Sequence, residues 1–122
     1  MAKLDHIGLY VKDLSRSREF YEQLFGFEER HSFRSGEAEI VALDVGSALL
    51  ELIQRPGSPG VPPEGNWSHL ALRVDEYETV REKLYSMGLD TRDVELDDGS
   101  RISFFKDPDG HTVEVMEKGL GV

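Results

Sequence analysis

The chain has 122 residues, of which 39% are hydrophobic and 31% charged, as expected for one globular domain, and no apolar run reaches the ~18 residues of a membrane helix. Its 24 acidic residues outnumber 14 basic ones, giving a net charge of −10, so we expect neither nucleic acid nor a membrane surface as partner. The absence of cysteine excludes disulfides, thiolate metal ligands and cysteine nucleophiles. The N-terminal residues lack the apolar core of a signal peptide, so a cytoplasmic protein is expected.

The first half of the chain predicts a strand, a helix and three further strands. Residues 4–11 have strand character, Asp13 is a suitable helix N-cap, and Gly26 ends the apolar helical pattern. Gly36 and Gly46 mark turns between the later strands. These strands are predicted at 27–34, 37–44 and 48–54.

The second half repeats this order after a proline-rich segment. Residues 55–65 contain four of the five prolines and are predicted to be a linker. A strand at 67–74 follows, then a helix capped by Asp75 with Glu78 as capping-box partner and ended by Gly88. The remaining strands are predicted at 91–96, 100–106 and 111–117.

The two halves are related by an offset of 63 residues. His6 then matches His69 and Glu51 matches Glu114, each within a matching apolar strand. The pattern predicts an α+β fold of two βαβββ modules related by a pseudo-two-fold. We expect one domain over residues 1–122, with modules at 1–54 and 66–122 joined by the linker at 55–65.

Four polar residues in these strands point to a divalent metal site. Because strand side chains alternate between faces, His6, Glu51, His69 and Glu114 are all predicted on the sheet face away from the helix. A lone His or Glu on a strand is usually structural or solvated. The shared offset and shared face favour one metal ion per site, with Ni²⁺, Zn²⁺, Co²⁺, Mn²⁺ and Fe²⁺ all compatible with the ligands. Four protein ligands leave two octahedral positions for water or substrate.

Other residues on this face and elsewhere are less specific. Tyr10 and Arg73 occupy similar positions on the two candidate-ligand faces, where they either contact substrate or form an ordinary exposed sheet surface. His31 lies in a polar stretch and is expected at the surface, whereas His111 lies in a turn and is expected to be structural.

Several motifs resemble the vicinal oxygen chelate superfamily over nearly the whole chain, and glyoxalase I-like (lactoylglutathione lyase-like) proteins in particular. The opening strand and helix resemble the start of that family, and the strand around each Glu resembles its later motifs. The matching segments are His6-Ile7-Gly8-Leu9-Tyr10-Val11, Leu50-Glu51-Leu52, Ser68-His69-Leu70-Ala71-Leu72 and Asp107-Pro108-Asp109-Gly110-His111-Thr112-Val113-Glu114.

The resemblance implies a metal-dependent lyase or isomerase that acts on a small α-oxo or hemithioacetal-like substrate, with proton transfer through a metal-bound enediolate. Glu51 or Glu114 would serve as general base. The glutathione-contacting Arg and Asn of such enzymes are absent near Tyr10 and Arg55, so strict glutathione dependence is not expected. A homodimer is the expected assembly, with the site formed either within one chain or between two.

Three alternatives remain within the same superfamily. An acyl-thioester epimerase would exchange the substrate α-proton, and an oxygenase would require Fe²⁺ and O₂. A non-catalytic small-molecule (antibiotic) binding protein would take up no metal.

Overall fold

A computed structural model of the protein describes residues 5–57 and 69–118. The chain divides into two compact units, Met1–Pro63 and Glu64–Val122. Each unit contains a four-stranded mixed sheet and one helix in the order βαβββ, as the repeat predicted. Parts of three predictions lie outside the described residues: residue 4 of the first strand, the linker from residue 58 onward, and residues 67 and 68 of the later strand.

The first module follows the predicted order closely. Its sheet has the order β1-β4-β3-β2, with β1 parallel to β4 and the other neighbours antiparallel. A parallel pair requires a crossover connection, and here it runs through the helix and two strands. The elements are β1 His6–Tyr10, α1 Leu14–Phe25, β2 Glu28–Ser35, β3 Ala38–Asp44 and β4 Leu49–Gln54.

The second module has the same topology. Its sheet order is β5-β8-β7-β6, again with the first strand parallel to the last. The elements are β5 Leu70–Arg73, α2 Tyr77–Ser86, β6 Arg92–Glu95, β7 Arg101–Lys106 and β8 Thr112–Met116. No helix in the described parts of the chain is long and apolar enough to cross a membrane.

The helix ends agree with the sequence in the first module and differ in the second. The Asp13 side chain accepts a hydrogen bond from the Arg16 backbone N–H at 3.1 Å, and Gly26 adopts a left-handed φ of 73° at the C-cap. The predicted cap at Asp75 is wrong, because α2 has Glu76 at its N-cap and no side-chain capping hydrogen bond. Asp75 lies 3.3 Å from Arg73 Nη1 instead.

The core of each module lies on the helix-facing side of its sheet. On β4, alternation places Leu50 and Leu52 on this side and Glu51 on the opposite side. The opposite side also carries buried apolar residues such as Ile40 and Ala42. The almost completely buried side chains of the two modules include Leu9, Val11, Leu24, Leu43, Leu50, Leu52, Leu84, Phe105, Val113 and Val115.

Candidate metal centre

In the first module, His6 and Glu51 lie close together on the face away from α1. The parallel register pairs Gly8 with Glu51, so His6, two residues earlier on β1, shares the face of the carboxylate. His6 Nε2 lies 3.6 Å from Glu51 Oε1. The second ring nitrogen of His6, Nδ1, lies 2.7 Å from Asp5 Oδ2. This contact orients the imidazole with Nε2 toward Glu51.

The electrostatics around His6 favour a positive charge. The hydrogen bond to Asp5 and the negative charge of Glu51 together hold the pKa of His6 above its usual value. The same two carboxylates would favour a cation bound at the ring nitrogen that faces Glu51.

In the second module, His69 and Glu114 form the equivalent pair. His69 immediately precedes β5, and its Nε2 lies 3.0 Å from Glu114 Oε1. The Glu114 side chain is only 9% exposed, compared with 17% for Glu51. The His69 and Phe104 rings are nearly perpendicular, with an angle of 80° between their planes and their centroids 6.0 Å apart.

The donor chemistry of these pairs fits a divalent transition metal. Each module offers one imidazole nitrogen and one carboxylate oxygen at a separation that a single ion can bridge. The structure therefore brings His6 together with Glu51, and His69 together with Glu114. Assembly of all four into one site remains a prediction.

The two candidate substrate residues occupy equivalent register positions. Tyr10 pairs with Ile53 on β4, and Arg73 pairs with Met116 on β8. Tyr10 is 40% exposed and its hydroxyl accepts a hydrogen bond of 2.7 Å from Arg55, whose guanidinium also lies over the Tyr10 ring.

A third group of metal-ligand types lies in the turn before β8. Asp107, Asp109 and His111 offer ligand atoms within 4.8 Å of one another, so this group could also hold a cation. However, Asp107 Oδ1 accepts hydrogen bonds from the backbone N–H groups of Asp109 and His111, and Asp107 Oδ2 lies 2.8 Å from His111 Nδ1. Asp107 and His111 are buried, and their contacts stabilise the turn.

Two residues next to the second pair were missed by the sequence analysis. Phe104 lies directly opposite Glu114, and Arg92 lies opposite Phe104 on the next strand. In the first module, the residue opposite Glu51 is Ala42. Ala42 and Phe104 are therefore equivalent in the two sheets, but they are 62 residues apart in the chain instead of the 63 of the repeat. The β7–β8 connection is one residue longer than the β3–β4 connection, so a constant offset could not align these positions.

The fold and these paired residues define the class of protein. Two βαβββ modules, each with one helix on a mixed four-stranded sheet, form the glyoxalase α+β fold. The chain belongs to the Glyoxalase/Bleomycin resistance protein/Dioxygenase superfamily, whose sequence model matches residues 3–115.

Individual relatives are similar along nearly their whole length. The chain is 34% identical over 128 residues to the uncharacterized protein YwbC of Bacillus subtilis, covering 97% of this chain and 100% of YwbC. It is 30% identical over 133 residues to lactoylglutathione lyase of Escherichia coli O157:H7, covering 98% of each chain. The crystal structure of a glyoxalase family protein from Enterococcus faecalis superposes with a TM-score of 0.78 at 27% identity, over 94% of this chain and 97% of that one.

Proposed function

We propose that this protein is a divalent-metal-dependent lyase or isomerase of the glyoxalase I type. Its substrate would be a small α-oxo or hemithioacetal-like compound, without strict dependence on glutathione. One metal ion would be held by His6, Glu51, His69 and Glu114. The similarity to a lactoylglutathione lyase over 98% of both chains supports the reaction class.

The observation that carries the proposal is the matching His–Glu pair of each module. The two pairs have the same donor atoms, lie on the same face of equivalent sheets and are separated by 3.6 and 3.0 Å. A packing role would not require a carboxylate in the middle of β8, where the buried Val113 and Val115 flank Glu114. The proposal requires the pairs to combine, either within one chain or between two copies.

The chain's own residues would supply binding and proton transfer. A bound divalent ion supplies Lewis-acid stabilisation of the negative charge that develops on substrate oxygens. Glu51 or Glu114 would accept the proton from the carbon next to the substrate carbonyl, and a carboxylate would return it to the neighbouring carbon. The low exposure of both carboxylates limits competing proton exchange with water.

Metal content tests the site directly. The protein is stripped of metal, reconstituted separately with Ni²⁺, Zn²⁺, Co²⁺, Mn²⁺ and Fe²⁺, and analysed for bound metal. We expect one tight equivalent per site, which is lost in His6→Ala and in His69→Ala. His31→Ala is the matched control, because His31 is an exposed histidine of the edge strand β2.

The same analysis of bound metal distinguishes the proposed site from the turn before β8. Asp109→Asn removes a carboxylate from the turn group and is expected to leave metal uptake unchanged. Loss of the tight equivalent in Asp109→Asn but not in His6→Ala would place the ion in the turn. No tight uptake by the unmodified protein would favour a non-catalytic binding protein.

Replacement of each carboxylate by its amide tests the proton-transfer role. Glu51→Gln and Glu114→Gln retain an oxygen donor but remove the base, so turnover should fall about 100-fold or more while part of the metal affinity remains. Turnover is measured on hemithioacetals of several thiols, together with exchange of the substrate C–H for solvent deuterium. Full activity of the double Gln variant would contradict the mechanism.

A further inference from the structure

The second module contains an open cleft of about 560 Å³ next to His69. Its lining combines apolar and charged side chains from the segment after α2 and from β6, β7 and β8. The lining includes Leu89, Asp90, Arg92, Phe104, Lys106 and Thr112.

The sheet register explains why several of these side chains share one face. Arg92 lies opposite Phe104, and Phe104 lies opposite Glu114. Lys106 of β7 and Thr112 of β8 are also opposite each other, two residues from Phe104 and Glu114 on the same two strands. Side chains two residues apart point to the same side of a sheet, so both cations lie on the face that carries Glu114.

The cationic groups of this cleft are not neutralised by described carboxylates. Arg92 lies over the Phe104 ring, 4.9 Å from its centroid, and makes no ion pair within residues 5–57 and 69–118. Lys106 donates to the Thr112 hydroxyl and likewise has no ion pair there. Among the described residues, six of the nine arginines form ion pairs and Arg92 does not; these six are Arg18, Arg30, Arg34, Arg73, Arg81 and Arg101.

We propose that this cleft binds a small organic anion with an apolar body, and that such an anion is the substrate class of the protein. The guanidinium of Arg92 and the ammonium of Lys106 would bind the anionic group, while Leu89 and Phe104 would contact the apolar part. Asp90 is the one carboxylate among the lining residues, so the lining of the cleft has an excess of positive charge from Arg92 and Lys106. The cleft thus differs from the chain as a whole, which carries a net charge of −10.

The position of Phe104 connects the cleft to the candidate metal centre. Its ring centroid lies 6.0 Å from that of His69 and 4.9 Å from Arg92 Cζ. A ligand lying along this ring would have its anionic end at Arg92 and its other end toward His69. The assignment of this ligand as substrate rests on the proposed function, whereas its binding depends only on the cleft.

Titration with phenylacetate, an anion with an apolar ring, tests the proposal. Binding is followed by amide chemical shifts in ¹H–¹⁵N spectra, with phenylacetamide as the neutral compound of the same shape. We expect phenylacetate to shift the amides of Leu89, Phe104 and Thr112, and phenylacetamide to bind at least about tenfold more weakly, a difference of about 1.4 kcal/mol.

Three variants and a control identify the groups responsible. Arg92→Gln and Lys106→Gln should each weaken phenylacetate binding about tenfold, and Asp90→Asn should strengthen it. Arg16→Gln is the control, because Arg16 is an exposed residue of α1 that likewise makes no ion pair with a described residue. Equal binding of the two compounds, or unchanged binding in both Arg92→Gln and Lys106→Gln, would overturn the proposal.

Metal uptake, measured on the same samples, separates this proposal from the proposed function. Metal uptake without phenylacetate binding would overturn the anion cleft and leave the metal site in place. Phenylacetate binding with no metal uptake would support the cleft and contradict the metal-dependent reaction.

Discussion

At the scale of single residues, small side chains keep space beside the candidate ligands. Gly8 lies opposite Glu51 in the parallel register, and Ala71 lies opposite Glu114 at the equivalent position. A methyl group added at Gly8 would lie 3.1 Å from Ile53 Cδ1. That distance is short, but it involves only the end of a flexible side chain, so the backbone does not have to move.

We therefore predict that Gly8→Ala folds and retains metal uptake. The free energy of unfolding should change by less than about 1 kcal/mol, because the gain from a less flexible unfolded chain offsets the crowding at Ile53. Ile53→Val removes the crowding methyl, so the double variant should be more stable than the sum of the single changes predicts. Chemical denaturation of the four proteins gives this coupling; additive effects would show that the contact does not matter.

The Asp5–His6 contact gives a second prediction at this scale. Asp5→Asn should weaken metal affinity about tenfold without changing the stoichiometry, because the carboxylate orients the imidazole and increases its basicity. Loss of a residue that holds a metal ligand usually weakens metal affinity about 10- to 100-fold. We expect a loss at the lower end of this range, because the Asp5 side chain is 86% exposed. Competition with a metal-binding dye measures the affinity. Asp97→Asn, at an exposed position between β6 and β7, is the control, and an equal loss there would indicate a nonspecific charge effect.

At the scale of elements, a polar network joins α2 to strands β6 and β7. Asp93 on β6 accepts hydrogen bonds from Arg81 and Tyr85 of α2, at 3.0 and 2.7 Å, and from Ser103 of β7 at 2.6 Å. The Ser103 hydroxyl is also hydrogen-bonded to the Tyr77 hydroxyl at the start of the helix. This network attaches the short edge strand β6 to the helix-facing side of the sheet.

The pKa of Asp93 predicts how this network responds to acid. Partial burial raises that pKa, but the hydrogen bonds from Ser103, Tyr85 and Arg81 outweigh burial and hold it below 3.8. The charged Asp93 carboxylate therefore contributes its full stabilisation of the fold above pH 3.8. This contribution is lost as the pH falls through the lower pKa that Asp93 has in the folded state.

Asp93→Asn tests this prediction. The variant should lose about 1–3 kcal/mol of unfolding free energy near neutral pH, because a charged acceptor of three hydrogen bonds is removed. The difference from the unmodified protein should shrink as the pH falls below the ordinary pKa of Asp, because protonation of Asp93 then removes the same charge in the parent. Urea denaturation across this pH range measures both effects, and a difference independent of pH would contradict the assigned charge.

At the scale of the whole molecule, the two modules share one topology and one placement of ligand types. If one ion binds His6 and Glu51 of the first module and His69 and Glu114 of the second, metal binding must stabilise both modules together. A metal concentration 100 times the dissociation constant should then add about 2.7 kcal/mol to the unfolding free energy.

Thermal unfolding of the stripped and reconstituted protein measures this coupling. We expect both modules to unfold in a single transition that moves to higher temperature with metal, and His69→Ala should abolish the shift. His31→Ala should behave like the parent. Stabilisation of only one module, seen as two separate transitions, would show that the pairs do not share an ion.

Much of the fold could be predicted from the sequence because its determinants are local. Alternation along strands, Asp13 before α1, Gly26 after it and the 63-residue repeat predicted the order and type of the ten elements in the described residues. The same alternation placed His6 with Glu51, and His69 with Glu114, on one face of each sheet. These features depend on neighbours in the chain, which the sequence shows directly.

Other features depend on contacts between distant segments, and only the tertiary structure decided them. The longer β7–β8 connection sets Phe104 opposite Glu114, and the register of β6 then adds Arg92 to the cleft. Asp93 likewise obtains its partners from α2 and β7 rather than from its own strand. The physical reason is that turn lengths and strand registers determine which distant side chains meet, and a repeat of constant offset contains no information about either.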